Sequence, residues 1–307
     1  MNILVTGGAG FVGSHVCERL ITLGHKVTVI DNLSFGKEEY LPKGTDLIKA
    51  DILDIEGYFK DLPDIDSIIH LAAQTNVNRS VEEPLFDFRN NALGTATILE
   101  LARKKGIKDF RLISSAAVYG NTDIVPITEE FPLKPMSMYG ASKLTSETLA
   151  KMYAEQNGIS GAIFRPSNIY GPRQRSDLEG GVASIFTKLA LTGEKALIFG
   201  DGNQTRDFIF VEDVANFICH DIGAKRGFDI LNLSTGKSCS IVDLWRTICD
   251  IVGVPSENVS FKKPREGDIY HSTLSNDKLL KSYSDIPVTD LKSGITKTVN
   301  YFRTNLL

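Results

Sequence analysis

Apolar residues recur along the first 165 residues in two alternating periods. Short β-branched runs at Asn2–Thr6, Lys26–Ile30, Leu47–Lys49, Ser67–Leu71, Phe110–Ser114 and Gly161–Arg165 read as strands. Longer stretches between them, among them Gly10–Leu23, Val81–Lys105 and Tyr139–Asn157, carry helical spacing. Strand–helix alternation predicts an α/β fold, a parallel sheet with helices on both faces. The run Ile68-Ile69-His70-Leu71-Ala72-Ala73 is apolar without alternation, as a strand buried on both faces requires. After Pro166 the rhythm breaks. Gly and Pro cluster at Gly171-Pro172, Gly180-Gly181 and Gly200-Asp201-Gly202, and the periodic pieces shorten. The pattern predicts a main domain over residues 1–166 and a smaller α/β lobe over 167–307. Phe208–Val211 and Ile230–Leu233 are expected to return to the first sheet.

Composition narrows the function. The 307 residues hold 34 Lys plus Arg and 38 Asp plus Glu, so the net charge is 34 − 38 = −4. That balance excludes a general nucleic-acid binder, which needs a basic excess. No run approaches the roughly 18 apolar residues of a membrane span. The N-terminus runs straight into a glycine cluster without a basic leader, which predicts a cytoplasmic protein without a signal peptide. Cys17, Cys219, Cys239 and Cys249 show no C-x-x-C or metal-type spacing. They read as buried, reduced thiols, and no metal site is expected.

Between the first strand and the first helix lies Gly7-Gly8-Ala9-Gly10-Phe11-Val12-Gly13. A phosphate cradle needs glycines at this spacing: Gly7 for the tight turn, Gly10 for close approach of a pyrophosphate, Gly13 for close helix–strand packing. The free N–H groups of Phe11, Val12 and Gly13 would then hold the anion. A plain strand-to-helix turn is the alternative. Asp31 ends the second strand, where a carboxylate accepts hydrogen bonds from an adenosine ribose and repels a 2′-phosphate. NAD is therefore expected rather than NADP. Asn32, Asp51 and Ile52 are further candidates for the adenosine end. The architecture expected is a Rossmann doubly wound sheet.

Tyr139-Gly140-Ala141-Ser142-Lys143 places a phenol and an ammonium on one helix face. Bringing a phenol from a pKa near 10 to near 7 takes about 4 kcal/mol. One cation about 4 Å away contributes about that much at an effective dielectric near 20. The pair can therefore supply a phenolate base at neutral pH. A helix-surface pair is the plain alternative. Ser114-Ser115 ends the fifth strand, where groups face a cofactor crevice, and a hydroxyl there can relay a proton to Tyr139.

These motifs, in this order and over nearly the whole chain, resemble the extended short-chain dehydrogenase/reductase family, and within it the UDP-sugar 4-epimerases of the UDP-glucose 4-epimerase type. Leu71-Ala72-Ala73, Asn91-Ala92-Leu93-Gly94-Thr95 and Ser114-Ser115-Ala116-Ala117-Val118-Tyr119-Gly120 belong to the same resemblance. It implies that Ser115, Tyr139 and Lys143 form the catalytic set. Leu71, Ala72 and Ala73 would line the cofactor, and Asn91 would support the active-site backbone. It implies that Asn168, Arg206 and Arg265 hold a nucleotide diphosphate. Ser272 would stand where the family carries a bulky Tyr or a smaller residue, so that a 2-acetamido group fits. The implied reaction is NAD-dependent C4 epimerisation of a UDP-sugar through a transient 4-keto species. UDP-Glc/UDP-Gal are the expected substrates, with UDP-GlcNAc/UDP-GalNAc alongside. Family dehydratases carry acids after the catalytic hydroxyl, and Ala116 and Ala117 stand there instead. A UDP-glucuronate 4-epimerase, a dehydratase or a reductase on the same scaffold remains the alternative. The resemblance also implies a homodimer packed through Val81–Lys105 and Tyr139–Asn157.

Overall fold

The structure is a computed structural model and describes residues 1–58, 60, 62–177, 181–224, 227–264 and 269–305. The strands are β1 (Asn2–Thr6), β2 (Lys26–Asp31), β3 (Thr45–Lys49), β4 (Ser67–His70), β5 (Asp109–Ile113), β6 (Ser160–Pro166), β7 (Asn168–Tyr170), β8 (Ala196–Phe199), β9 (Thr205–Phe210), β10 (Phe228–Leu233), β11 (Ser238–Ser240), β12 (Val259–Lys262) and β13 (His271–Ser272). Helices α1 (Phe11–Thr22), α2 (Val77–Glu82), α3 (Pro84–Phe88), α4 (Gly94–Lys105) and α5 (Met138–Asn157) alternate with the early strands. Further along come α6 (Val182–Thr192), α7 (Val211–Cys219), α8 (Ile241–Val252), α9 (Asp277–Ser282) and α10 (Leu291–Asn305). The chain forms two compact units. One comprises Met1–Asn121, Phe131–Arg165 and Ala215–Leu231; the other Thr122–Glu130, Pro166–Val214 and Asn232–Leu307.

In the first unit the sheet runs β3-β2-β1-β4-β5-β6, with β10 beyond β6. That is the Rossmann order, with its reversal between β1 and β4. All four residues of β4 are buried, as its unbroken apolar run predicts. Leu4, Ile68 and Phe110 form one row across β1, β4 and β5. Leu99 and Ala102 of α4 and Ala150 and Ala154 of α5 pack in the same core. Burying each large member of that row stabilises by about 2 kcal/mol. Ser137 caps α5 by accepting from the Gly140 amide at 3.0 Å, and Gly158 ends it in the left-handed conformation.

The second unit is built on β9, which pairs antiparallel with β11 and parallel with β7 and β13; β8 and β12 form a separate parallel pair. Its core holds Phe210, Ile248, Ile295 and an edge-on Phe186–Trp245 contact. Phe208–Phe210 therefore lie in β9 of this four-stranded sheet and not in the first one, and Val211 opens α7, whereas Ile230–Leu233 lies in β10 of the first. A second difference concerns Val81–Lys105. It is not one helix: Glu83 leaves the helical region ahead of Pro84, which opens α3. A π turn at Arg89–Leu93 then leads into α4. All four cysteines are free; Cys239 is only half-buried, because it sits on the short edge strand β11. No described helix is long and apolar enough to cross a membrane, and the described residues contain no cluster suited to a metal ion.

Candidate active site

The glycine turn leaves β1 at the point where the strand order reverses. Gly7 sits at φ +71°, and its amide donates to the Ile30 carbonyl of β2 at 2.8 Å. A Cβ there would lie 2.7 Å from the Ala72 backbone nitrogen. A Cβ on Gly13 would lie 2.1 Å from the Gly7 carbonyl oxygen. Gly13 thus admits helix α1 against the turn itself, rather than against a strand as expected. At Gly10 a Cβ would meet only that same carbonyl, at 3.2 Å. Gly10 caps α1 without a side-chain hydrogen bond, and no acid stands in the first turn. The amides of Phe11, Val12 and Gly13 are the orphan donors of this helix start. These features fit the pyrophosphate of a dinucleotide.

Asp31 is buried. Its carboxylate accepts from the Ala9 amide at 3.0 Å and the Leu33 amide at 2.8 Å, which ties the glycine turn to the end of β2. Burial raises its pKa, and the two amide bonds oppose that. A carboxylate offers about four lone-pair sites, so capacity remains for ribose hydroxyls. Asn32 donates to Asp51 at 3.0 Å, and Asp51 also accepts from the Leu53 amide. The Ile52 side chain is turned into the core, near Gly94.

Behind Leu71-Ala72-Ala73 runs a buried polar chain that the sequence pattern did not single out. Thr6 Oγ accepts from the Leu71 and Ala72 amides, both at 3.2 Å, and bonds His70 Nδ1 at 2.7 Å. His70 Nε2 lies 3.1 Å from Thr95 Oγ, which itself donates to the Asn91 carbonyl. Thr95 has spent its proton, so His70 donates through Nε2 and accepts at Nδ1. Burial, with the charge of Lys143, pushes His70 down to about 3 and keeps it neutral. Asn91, on the π turn, accepts from the Gln74 amide at 2.8 Å and donates to the Gln74 carbonyl at 3.0 Å. Asp87, fully buried, accepts from Gln74 Nε2 at 2.7 Å and Ser142 Oγ at 2.5 Å. Asp87 and Asn91 stand at i, i+4 on the helical stretch, and Asn91 Nδ2 donates to the Asp87 carboxylate at 3.2 Å.

Ser115 follows β5 and caps the turn Ala116–Val118, its hydroxyl accepting from the Ala117 amide at 3.1 Å. The Tyr139 side chain hydrogen-bonds Ser115. Lys143 is buried one turn further along α5 and donates to the Ile113 carbonyl at 2.7 Å. The phenol is not poised near neutrality by the chain alone. Burial holds Tyr139 above its ordinary value, the Ser115 bond opposes this, and Asp87 adds to it. Burial brings Lys143 itself down to about 8, against the pull of Glu147 and Asp87.

In the second unit, β9 gathers the remaining candidates. Arg206 lies on β9 with Ser272 of β13 in register beside it, and Asn168 of β7 pairs at Phe208, two residues on. Arg206 Nη1 donates to the Thr205 carbonyl at 2.8 Å. Asn168 is exposed; Arg206 and Ser272 are half-buried. Arg265 lies outside the described residues.

A Rossmann sheet with an open glycine turn, an acid at the end of β2 and a Ser–Tyr–Lys set whose phenol and ammonium are buried defines a dinucleotide-dependent enzyme class. The chain belongs to the NAD dependent epimerase/dehydratase family, whose model matches residues 3–233. It is similar to the UDP-glucose 4-epimerase of Mycolicibacterium smegmatis, 38% identical over 312 residues and 99% of each chain. Among solved structures it matches UDP-glucose 4-epimerase with UDP-glucose from Thermotoga maritima, at 37% identity, TM-score 0.94 and full coverage of both chains. It also matches a UDP-N-acetylglucosamine 4-epimerase from Methanobrevibacter ruminantium, in complex with UDP-N-acetylmuramic acid. That likeness has 34% identity and a TM-score of 0.93, covering 99% of this chain and 98% of the other.

Proposed function

We propose that this protein interconverts the C4 epimers of a UDP-sugar with tightly held NAD. The observation that carries the reading is the Ser115–Tyr139–Lys143 set, its phenol and ammonium buried and its serine half-buried, with alanines at 116 and 117, where elimination would need an acid. Gly7, Gly10, Phe11, Val12, Gly13, Asp31, Asn32, Asp51, Ile52, Leu71, Ala72, Ala73 and Asn91 would build the dinucleotide site. When bound, NAD supplies a reversible hydride acceptor and, in its oxidised form, a positive charge. Tyr139 takes the proton of the sugar C4 hydroxyl and gives it back after the ring has turned. Ser115 bridges that hydroxyl and the phenol. The Lys143 ammonium has three donors, one fixed on Ile113, which leaves donors for the phenolate and a ribose hydroxyl. Asn168 and Arg206 hold the diphosphate while the sugar reorients, a guanidinium matching phosphate oxygens in plane.

The test is incubation with a panel of UDP-sugars without added NAD, resolving C4 epimers by NMR. Inverted products are expected; a stable keto-deoxy sugar, or no reaction unless NAD is supplied and consumed, would falsify the reading. Ser272, small and half-buried, leaves room for a 2-acetamido group. UDP-GlcNAc should turn over with the parent enzyme and fall at least about tenfold with Ser272→Tyr, while UDP-Glc is kept. Equal turnover of UDP-GlcNAc by both removes the argument. The four free cysteines suit a reducing cytoplasm. The exposed apolar side chains of Val81, Leu85 and Leu93, with Met152 on α5, support a homodimer through these helical segments. Light scattering on the purified protein should give twice the chain mass.

A further inference from the structure

We propose that Glu147, clamped by Arg165, is a positioning residue of this site: it fixes the end of β5 that carries Ser115 and stands as the counter-charge of Lys143. The inference rests on the reading of Ser115, Tyr139 and Lys143 as the reacting set. Glu147 lies one turn beyond Lys143 and two beyond Tyr139 on α5. One carboxylate oxygen accepts from Ser114 Oγ at 2.5 Å and from Arg165 Nε at 2.9 Å; the other accepts from Arg165 Nη2 at 2.6 Å. Arg165 Nη1 continues to the Tyr119 hydroxyl at 2.9 Å. Both charged side chains are 2% exposed. Arg165 carries a permanent charge and meets the Glu147 carboxylate through two of its nitrogens. The carboxylate that takes the guanidinium also takes Ser114, whose neighbour is the hydroxyl bonded to Tyr139.

The charges around Lys143 are few among the described residues. Asp87 acts from α3 and Glu147 from its own helix, and both favour the ammonium. His70 on β4 is neutral, Tyr139 is a neutral phenol, and the Ile113 carbonyl accepts from the ammonium. Arg165 on β6 stands behind Glu147. The four ionised groups sum to zero. Removing Glu147 alone leaves two cations against one anion, while removing Arg165 alone leaves two anions against one cation.

The two variants must therefore move Lys143 in opposite directions. In Glu147→Gln, Lys143 should lose its proton about one pH unit earlier; in Arg165→Met, about one unit later. The readout is a 13C NMR titration of lysine Cε in the NAD-loaded protein, with Lys143→Met used only to assign the signal. The alkaline limb of kcat/KM should move with it. Ser114→Ala leaves the ion pair in place and should fold. It should lower kcat about tenfold at unchanged KM, through a loosened Ser115. Opposite shifts, or the Ser114→Ala loss where a charge variant fails to fold, support the role. Titrations that coincide with the parent, shifts of the same sign, or an unchanged kcat in Ser114→Ala overturn it. The titration needs no turnover. A protein that epimerises nothing but shows both shifts defeats the proposed reaction and not the counter-charge role; flat titrations in an active enzyme do the reverse.

Discussion

Tyr139→Phe should lower kcat by at least about a thousandfold while leaving the fold and the bound dinucleotide intact. The ring is 8% exposed and packs at the start of α5, so phenylalanine fills the same space. Only the hydroxyl and its bond to Ser115 disappear, and a buried hydroxyl that loses one bond contributes about 1 kcal/mol at most to stability. On the proposed mechanism the C4 hydroxyl loses its base, and positioned acid–base groups are worth about 10²–10⁴-fold. The chain by itself holds the phenol above its ordinary value, so the base forms only when positive charge is near. Activity should rise with pH as Tyr139 ionises and fall as pH passes about 8, where Lys143 loses the charge that supports the phenolate. NMR turnover, with dinucleotide content measured after release, checks this. A Tyr139→Phe protein that keeps its NAD and more than a tenth of its activity would remove Tyr139 from the mechanism.

The parallel sheet was legible because strands buried on both faces cannot hide: Ile68, Ile69 and the β-branched runs around them have no polar alternative. The Tyr139–Lys143 pair was legible because helical spacing is short-range. What the pattern does not carry is the partner of a strand. Thr205–Phe210 shows where a strand lies and not which sheet receives it, and the choice is made by β7, β11 and β13, drawn from distant parts of the chain. Likewise Thr6 and His70 are 64 residues apart, and neither alone announces the hydrogen bond between them. Helical spacing runs on across Val81–Lys105, but Pro84 has no amide to donate, so α3 begins afresh there. The phenol's upward shift is of another kind. Spacing gives the position of a charge, while the dielectric around it follows from packing by α3, α5 and the strand ends.

Gly10 and Gly13, three residues apart in one turn, should part company when each becomes alanine. In Gly13→Ala the new Cβ meets the Gly7 carbonyl oxygen at 2.1 Å and the Gly8 Cα at 2.7 Å, both backbone and both part of the turn. Alanine favours a helix interior over glycine by about 1 kcal/mol, but overpacking of this kind costs about 3 kcal/mol. The clash wins. Thermal unfolding should drop by roughly 3–5 °C, and the distorted turn should release NAD. In Gly10→Ala the Cβ meets one carbonyl oxygen at 3.2 Å, and the residue sits at φ −78°, which alanine adopts freely. Its melting temperature should stay within about 2 °C of the parent. The methyl group nevertheless enters the space where the orphan amides of α1 face their anion, so NAD affinity should fall at least about tenfold. Scanning calorimetry and fluorescence titration with NADH separate the two effects. If Gly10→Ala binds the dinucleotide as tightly as the parent, the turn is a packing device, and the phosphate cradle must be sought elsewhere on the sheet.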